Sequence, residues 1–241
     1  MKPERLDKIL AAQSTASRSD IKELVRGGMV AVNGVAVKTA DYKIDIEKDS
    51  ITLRGEPVVL RQHIYVMLNK PQGVVSATRD GREKTVLDII PEELMRDGLF
   101  PAGRLDKDTT GFVLITDDGE FAHKILSPKK HVAKTYTAQL SSPIDDELIK
   151  QFEEGFALDM HTSVKPARVK ILKQGSGEYV EVVLTEGMYH QIKRMFEHFG
   201  RTVLRLHRTR IGGLFLDEAL KLGCCRLITT EELNKITSNT Q

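Results

Sequence analysis

No apolar run in this 241-residue chain approaches the roughly 20 residues that a membrane-spanning helix requires. No apolar leader core follows the opening Met1-Lys2-Pro3-Glu4-Arg5. Both absences point to a cytoplasmic protein. Cysteine is almost missing. Cys224 and Cys225 are adjacent, a spacing that rarely bridges, and no spaced Cys/His set suits zinc. They read as plain core or strand residues. There is no glycine-rich phosphate loop, internal repeat or low-complexity tract.

What remains is a globular composition, with 40% apolar and 29% charged residues. The length suits two ordinary domains, or one with an appendage. The net charge of +2 is small, but its distribution is uneven. No acid lies between Phe121 and Ile144, where Lys124, Lys129, Lys130 and Lys134 stand. From Lys193 to Arg210 only Glu197 opposes Lys193, Arg194, Arg201, Arg205, Arg208 and Arg210. Two basic stretches on a nearly neutral chain suggest a focused polyanion site; solvated faces are the plainer alternative.

The first ~60 residues read as a small unit by spacing and turn signals. Leu6, Ile9 and Leu10 give a short amphipathic helix. Ser17 or Ser19 caps a second, with Ile21, Leu24 and Val25 as its apolar face. Arg18, Lys22 and Arg26 recur every four residues and share another face. Asn33-Gly34 between alternating apolar residues predicts a hairpin, because a type I′ turn needs positive φ at both central positions.

A linker is expected near Glu56 to His63. Beyond it, strand-like segments fall at 112–116, 134–140, 167–172, 179–185 and 202–206, with helices at 144–154 and 189–199. Thr229-x-x-Glu232 predicts a capping box for a last short helix. Strands outnumber helices without strict βαβ alternation, so the fold class is α+β. The boundaries are 1–60 for a small N-terminal domain of helices plus a β-hairpin and 61–241 for a larger domain.

The chemistry centres on Gly103-Arg104-Leu105-Asp106-Lys107-Asp108-Thr109-Thr110-Gly111, a polar turn running into Phe112-Val113-Leu114-Ile115. Such turns often present a reactive side chain at a cleft. Asp106-x-Asp108-x-Thr110-Gly111 also half-matches a calcium loop, with Asp117 at position twelve. Thr110 at the fifth position and an Asp for the bidentate Glu argue against that. Asp106 is either a nucleophile or general base, or an Asx-turn residue that shapes the loop.

Family resemblance bears on that choice. The run from Arg5-Leu6-Asp7 through Ser17-Arg18-Ser19 and Arg26-Gly27-Gly28 to Val32-Asn33-Gly34 resembles the small RNA-binding domain of ribosomal small-subunit protein four. That resemblance implies RNA contact by Arg18, Lys22 and Arg26. Ala102 to Leu114 resembles the catalytic motif of the pseudouridine synthases that act on ribosomal RNA. In the same order come Met67 to Gly73, Thr116 to Gly119, Lys134-Thr135-Tyr136, Glu186 to Phe196, and Leu206 to Gly213. The resemblance implies a mixed or antiparallel sheet with flanking helices. It also implies Asp106 as the catalytic carboxylate, Tyr136 as the stacking platform for a flipped-out base, and Lys193 as the partner of Asp106. It further implies Arg104 as a nucleotide-displacing residue and Arg194 as an RNA contact. Asp108 is left as turn structure. Met188 stands where a basic residue is usual.

Isomerising uridine to pseudouridine involves no redox change and no phosphate cleavage, so no cofactor and no metal are expected. The partner is ribosomal RNA or a small-subunit assembly intermediate, with no membrane, and the protein is expected to be a monomer. Asp108 to Gly111, Lys165-Pro166-Ala167 and Tyr189 to Met195 favour 16S rRNA. The alternatives are 23S rRNA, a non-catalytic rRNA-binding or assembly factor, and, least favoured, a base-releasing hydrolase.

Overall fold

The computed structural model describes residues 3–13, 16–127, 132–172 and 178–238. Lys129 and Lys130 of the first basic stretch lie outside the described residues. The chain divides into two compact units: residues 1–64 with 90–99, and residues 65–89 with 100–241.

The first unit begins with β1 (Glu4–Arg5), α1 (Leu6–Ala12) and α2 (Arg18–Arg26). Ser17 is the cap of α2, in a capping box: its hydroxyl accepts from the Asp20 amide while Asp20 accepts from the Ser17 amide. β2 (Val30–Val32) and β3 (Val35–Ala36) follow, joined by Asn33 at φ 51° and Gly34 at φ 80°, as a type I′ turn demands. β4 (Lys43–Ile44) pairs with β1; β5 (Ile51–Leu53) and β6 (Glu56–Val58) complete a sheet of order β3-β2-β5-β6. Residues 56–58 are therefore strand, where a linker was expected. Pro57 hides this in the sequence, yet β6 is an edge strand, where a missing amide proton is tolerated. Leu6, Ile9, Ile21, Val25, Ile44 and Ile51 pack as the core. The 90–99 segment belongs here too, and its Arg96 guanidinium donates to the Arg61 and Gln62 carbonyls.

The second unit carries β7 (Tyr65–Lys70), β8 (Phe100–Pro101), β9 (Thr110–Thr116), α3 (Gly119–Leu126), β10 (Lys134–Leu140) and α4 (Asp146–Glu154). It continues with β11 (Phe156–Asp159), β12 (Thr162–Val164), β13 (Arg168–Ile171), β14 (Tyr179–Leu184) and α5 (Gln191–His198). β15 (Val203–Ile211), β16 (Leu214–Phe215), β17 (Cys225–Leu227) and α6 (Thr230–Thr237) close it. The main sheet runs β13-β14-β10-β15-β9-β7-β17, with β16 on β15 and β8 on β9. β9 and β15 are parallel and the other pairs antiparallel, so the sheet is mixed and the class α+β.

Several local expectations meet their reason here. Asp145 caps α4, so that helix starts later than its apolar spacing suggests. Thr229 and Glu232 form the capping box of α6. β15 runs far beyond 202–206, because Arg208 lies inside the sheet instead of ending it. Cys225 sits in β17, as a strand residue, but is only half-buried, and Cys224 is exposed, so neither is a core residue.

Candidate active site

The turn before β9 has almost no freedom. Lys70, at the end of β7, is fully buried, and its ammonium donates to the carbonyls of Pro71 (3.0 Å), Asp106 (3.0 Å), Lys107 (3.3 Å) and Thr109 (2.8 Å). Ser76 Oγ donates to the Leu105 carbonyl at 2.9 Å and accepts from the Leu105 amide at 3.0 Å. The Gly73 amide donates to the Lys107 carbonyl, and Gln72 Nε2 to that of Asp108. Asp106 is thus presented on a backbone fixed from several sides.

Burial pushes the Lys70 ammonium down to about 8, against the pull of the Asp108 and Asp106 carboxylates. The unfolded chain releases this proton near the ordinary lysine value of 10.5, so between these two pH values it binds more protons than the fold does. The stability contributed by this group therefore rises with pH across that window. Wild type is expected to gain on the order of 3 kcal/mol of unfolding free energy relative to Lys70→Met as pH rises from 8 to 10.5. Denaturant unfolding at several pH values measures this; parallel curves for the two proteins would contradict it.

Lys193, on the first turn of α5, reaches Asp106 Oδ2 at 3.1 Å and Asp108 Oδ1 at 2.6 Å. His190 Nε2 lies 3.6 Å from Asp106 Oδ1. Reading Asp108 as turn structure alone is therefore corrected: its side chain shares the Lys193 cation. Sequence spacing missed this because both carboxylates meet a residue on a distant helix. Burial raises the Asp108 carboxyl, but Lys193 outweighs it and holds the group below its ordinary value. Burial likewise draws Lys193 down, and the two carboxylates together raise it. An ammonium between Asp106 and Asp108 occupies the place a calcium ion would need.

Tyr136 lies on β10, two strands from β9, half-buried against the core of the second unit. Arg208 of β15 bridges the gap. Its Nε donates to the Phe112 carbonyl at 2.7 Å and its Nη1 to the Tyr136 hydroxyl at 3.4 Å, with the guanidinium 5.9 Å from the ring centre. A register shift makes this possible: Thr135 pairs with Arg210 and Tyr136 with Arg208, leaving Thr209 as a bulge. Arg208 is only 3% exposed, and its Nη2 is buried without a partner among the described residues. The sequence marked Arg208 only as part of a basic run.

That run divides in three dimensions. Arg208 is internal, Arg194 pairs with Asp159 at 2.9 Å, Arg201 donates to the Pro143 and Phe199 carbonyls, and Arg205 is exposed. In the other stretch, Lys134 donates to the Ile125 carbonyl, and burial, with Arg208 nearby, pushes it down to about 8. The stretch from Lys193 to Arg210 is therefore not one continuous cationic face. Arg104 is exposed beside buried Leu105. Met188 packs against the apolar core. In the first unit Arg18, Lys22 and Arg26 are exposed on α2, on the face flanking buried Ile21 and Val25.

The geometry is a carboxylate on a rigid turn, with a cation in contact and a tyrosine on the same sheet. No set of three or more His, Cys, Asp or Glu side chains among the described residues could hold a metal ion. No described helix is long and apolar enough to cross a membrane. A family model for RNA pseudouridylate synthase matches residues 64–198, and one for the S4 domain matches residues 4–51. An uncharacterized RNA pseudouridine synthase of Bacillus subtilis is 46% identical, over 95% of this chain and 97% of its own. Ribosomal small subunit pseudouridine synthase A of Escherichia coli is 42% identical, over 96% and 99% respectively. A crystal structure of a pseudouridylate synthase aligns with a TM-score of 0.67 at 38% identity, covering 97% of this chain and 99% of that one. With its motifs in order along nearly the whole length, this chain belongs to the RNA pseudouridylate synthase family, enzymes that isomerise uridine to pseudouridine in RNA.

Proposed function

We propose that this enzyme isomerises a specific uridine of 16S rRNA, with Asp106 as the catalytic carboxylate and Tyr136 as the platform for the extruded base. The observation that carries the reading is the 3.1 Å ion pair between Lys193 and Asp106, on a turn pinned by buried Lys70. A contacting cation orients a carboxylate and balances its charge, which covalent or elimination chemistry at the nucleoside needs.

The reaction breaks the bond from ribose C1′ to uracil N1, rotates the base and forms C1′–C5. The C5 proton leaves and N1 gains one, so the product is an isomer. Asp106 acts at the anomeric carbon, at ring carbon 6, or by promoting elimination; all three require its ionised form. Tyr136 stacks on the base and is placed to take the C5 proton, its hydroxyl held by Arg208. Extruding the base costs a few kcal/mol, which stacking and phosphate contacts offset.

Arg18, Lys22 and Arg26 supply phosphate contacts in the small domain, residues 1–60, and Arg104 helps displace the target nucleotide. Arg194 is free to exchange its exposed partner Asp159 for phosphate, since such surface pairs contribute at most about 1 kcal/mol. The 16S preference rests on the likeness to the small-subunit enzyme of Escherichia coli over nearly its whole length. The test is to map pseudouridine in rRNA from a deletion strain and restore it with purified protein. Loss and recovery at one 16S position is expected. A change in 23S rRNA would reassign the substrate, and no change with intact RNA binding would make the protein an assembly factor.

A further inference from the structure

Beside Asp106 the surface carries a feature that the isomerisation chemistry does not use. Tyr189 is 74% exposed, in a chain where aromatic residues are scarce. Its ring stacks on His190, with centroids 3.8 Å apart and planes 16° from parallel. His190 in turn stands 3.6 Å from the Asp106 carboxylate. One face of the tyrosine is backed by imidazole, and most of the side chain remains open to solvent.

The pair is held rigidly. His190 has φ 50° and ψ 31°, a left-handed conformation that a non-glycine residue adopts at a cost and that clusters at functional sites. Gln191 is buried; its Oε1 accepts from the Met188 amide at 3.0 Å and its Nε2 donates to Glu186 at 2.6 Å. The His190 carbonyl accepts from the Arg194 amide. Backbone on both sides of the rings is thereby fixed. An exposed ring that is pre-ordered and already stacked on one side is prepared to stack on the other.

A planar π-system stacked on Tyr189 lies one residue from His190, which stands 3.6 Å from the Asp106 carboxylate, so it arrives with the substrate strand. When the target uridine leaves its stack, its neighbours also lose a stacking partner. An aromatic face is a sequence-tolerant replacement. We propose that Tyr189, backed by His190, is a stacking platform for an unpaired nucleobase flanking the target uridine. This rests on the assignment of Asp106 as the reaction centre. Lys193 and Arg194 follow on the same helix, and the platform adds affinity that is independent of charge.

The probe is a single-stranded RNA hexamer of adenosines with one uridine and 2-aminopurine directly beside it. Wild type is expected to quench the 2-aminopurine fluorescence on binding. Tyr189→Ala should lose the quench and weaken binding about 5- to 100-fold, the range typical of one lost base–aromatic stack. The slope of log affinity against log salt should not change, because no charge is removed. Tyr189→Phe should behave as wild type, and Tyr189→Leu, which keeps apolar bulk without a π face, as Tyr189→Ala. No quench with wild type, a quench that survives in Tyr189→Ala, or full function in Tyr189→Leu would overturn the proposal. Tritium release from ring carbon 5 of 16S transcripts, measured in parallel, tests the isomerase reading separately. Wild-type release together with an unaltered Tyr189→Ala quench defeats the platform alone.

Discussion

Asp106→Asn is expected to reduce uridine isomerisation by at least about a thousandfold, roughly 4 kcal/mol of transition-state stabilisation. The substitution is nearly isosteric. The bonds that fix the turn use the Asp106 carbonyl, not its side chain, so Lys70 still holds the loop. What disappears is the negative charge and the reactive oxygen. Lys193 keeps Asp108 at 2.6 Å, so it retains a carboxylate partner. The fold should therefore survive, and RNA affinity should stay within a few-fold. Tritium release from ring carbon 5 under single-turnover conditions measures the loss, and filter binding at fixed salt measures the affinity. Turnover comparable to wild type would remove Asp106 from the chemistry.

Gly111→Ala is expected to destabilise the second unit by about 3–5 kcal/mol, combining strained backbone with a steric clash. Gly111 has φ 105°, outside the range a side chain readily adopts. A Cβ there would collide with the Arg208 backbone, 2.6 Å from its nitrogen and closer still to its carbonyl oxygen. The contact lies where β9 and β15 run parallel, with Gly111 opposite Arg208. Relieving it requires the two strands to separate at the point where Arg208 bonds Phe112 and Tyr136. Activity should fall further than stability alone predicts, even at temperatures where the variant remains folded. Urea unfolding gives the stability term, and turnover per folded molecule gives the rest. A midpoint within error of wild type would show that the strands tolerate the methyl group.

Much of the fold is written in short-range signals. The caps at Ser17 and Thr229 and the Asn33-Gly34 turn act over a few residues, so their chemistry is visible in sequence. The strands at 134–140 and 179–184 are near their expected limits because alternation marks a half-buried strand. Several elements were not legible. β6 contains a proline that only its edge position permits, the strands of the β11–β12 hairpin are too short for a periodic pattern, and α3 buries only Ala122 and Ile125, too sparse an apolar face to mark a helix. β15 extends through arginines that read as surface.

The candidate site follows the same division. Sequence by itself determined that a carboxylate sits in a polar turn before an apolar strand, and that a tyrosine and a lysine follow in family order. Only the tertiary structure decided which cations are internal. Lys70 finds carbonyls 36–39 residues away, and Arg208 finds one 96 residues away. A charge enters a core only when such partners are waiting, and no local pattern announces them. The return of Asp108 to the Lys193 cation and the approach of His190 to Asp106 were decided in the same way. Each depends on the side-chain directions of elements that meet only after the sheet has formed.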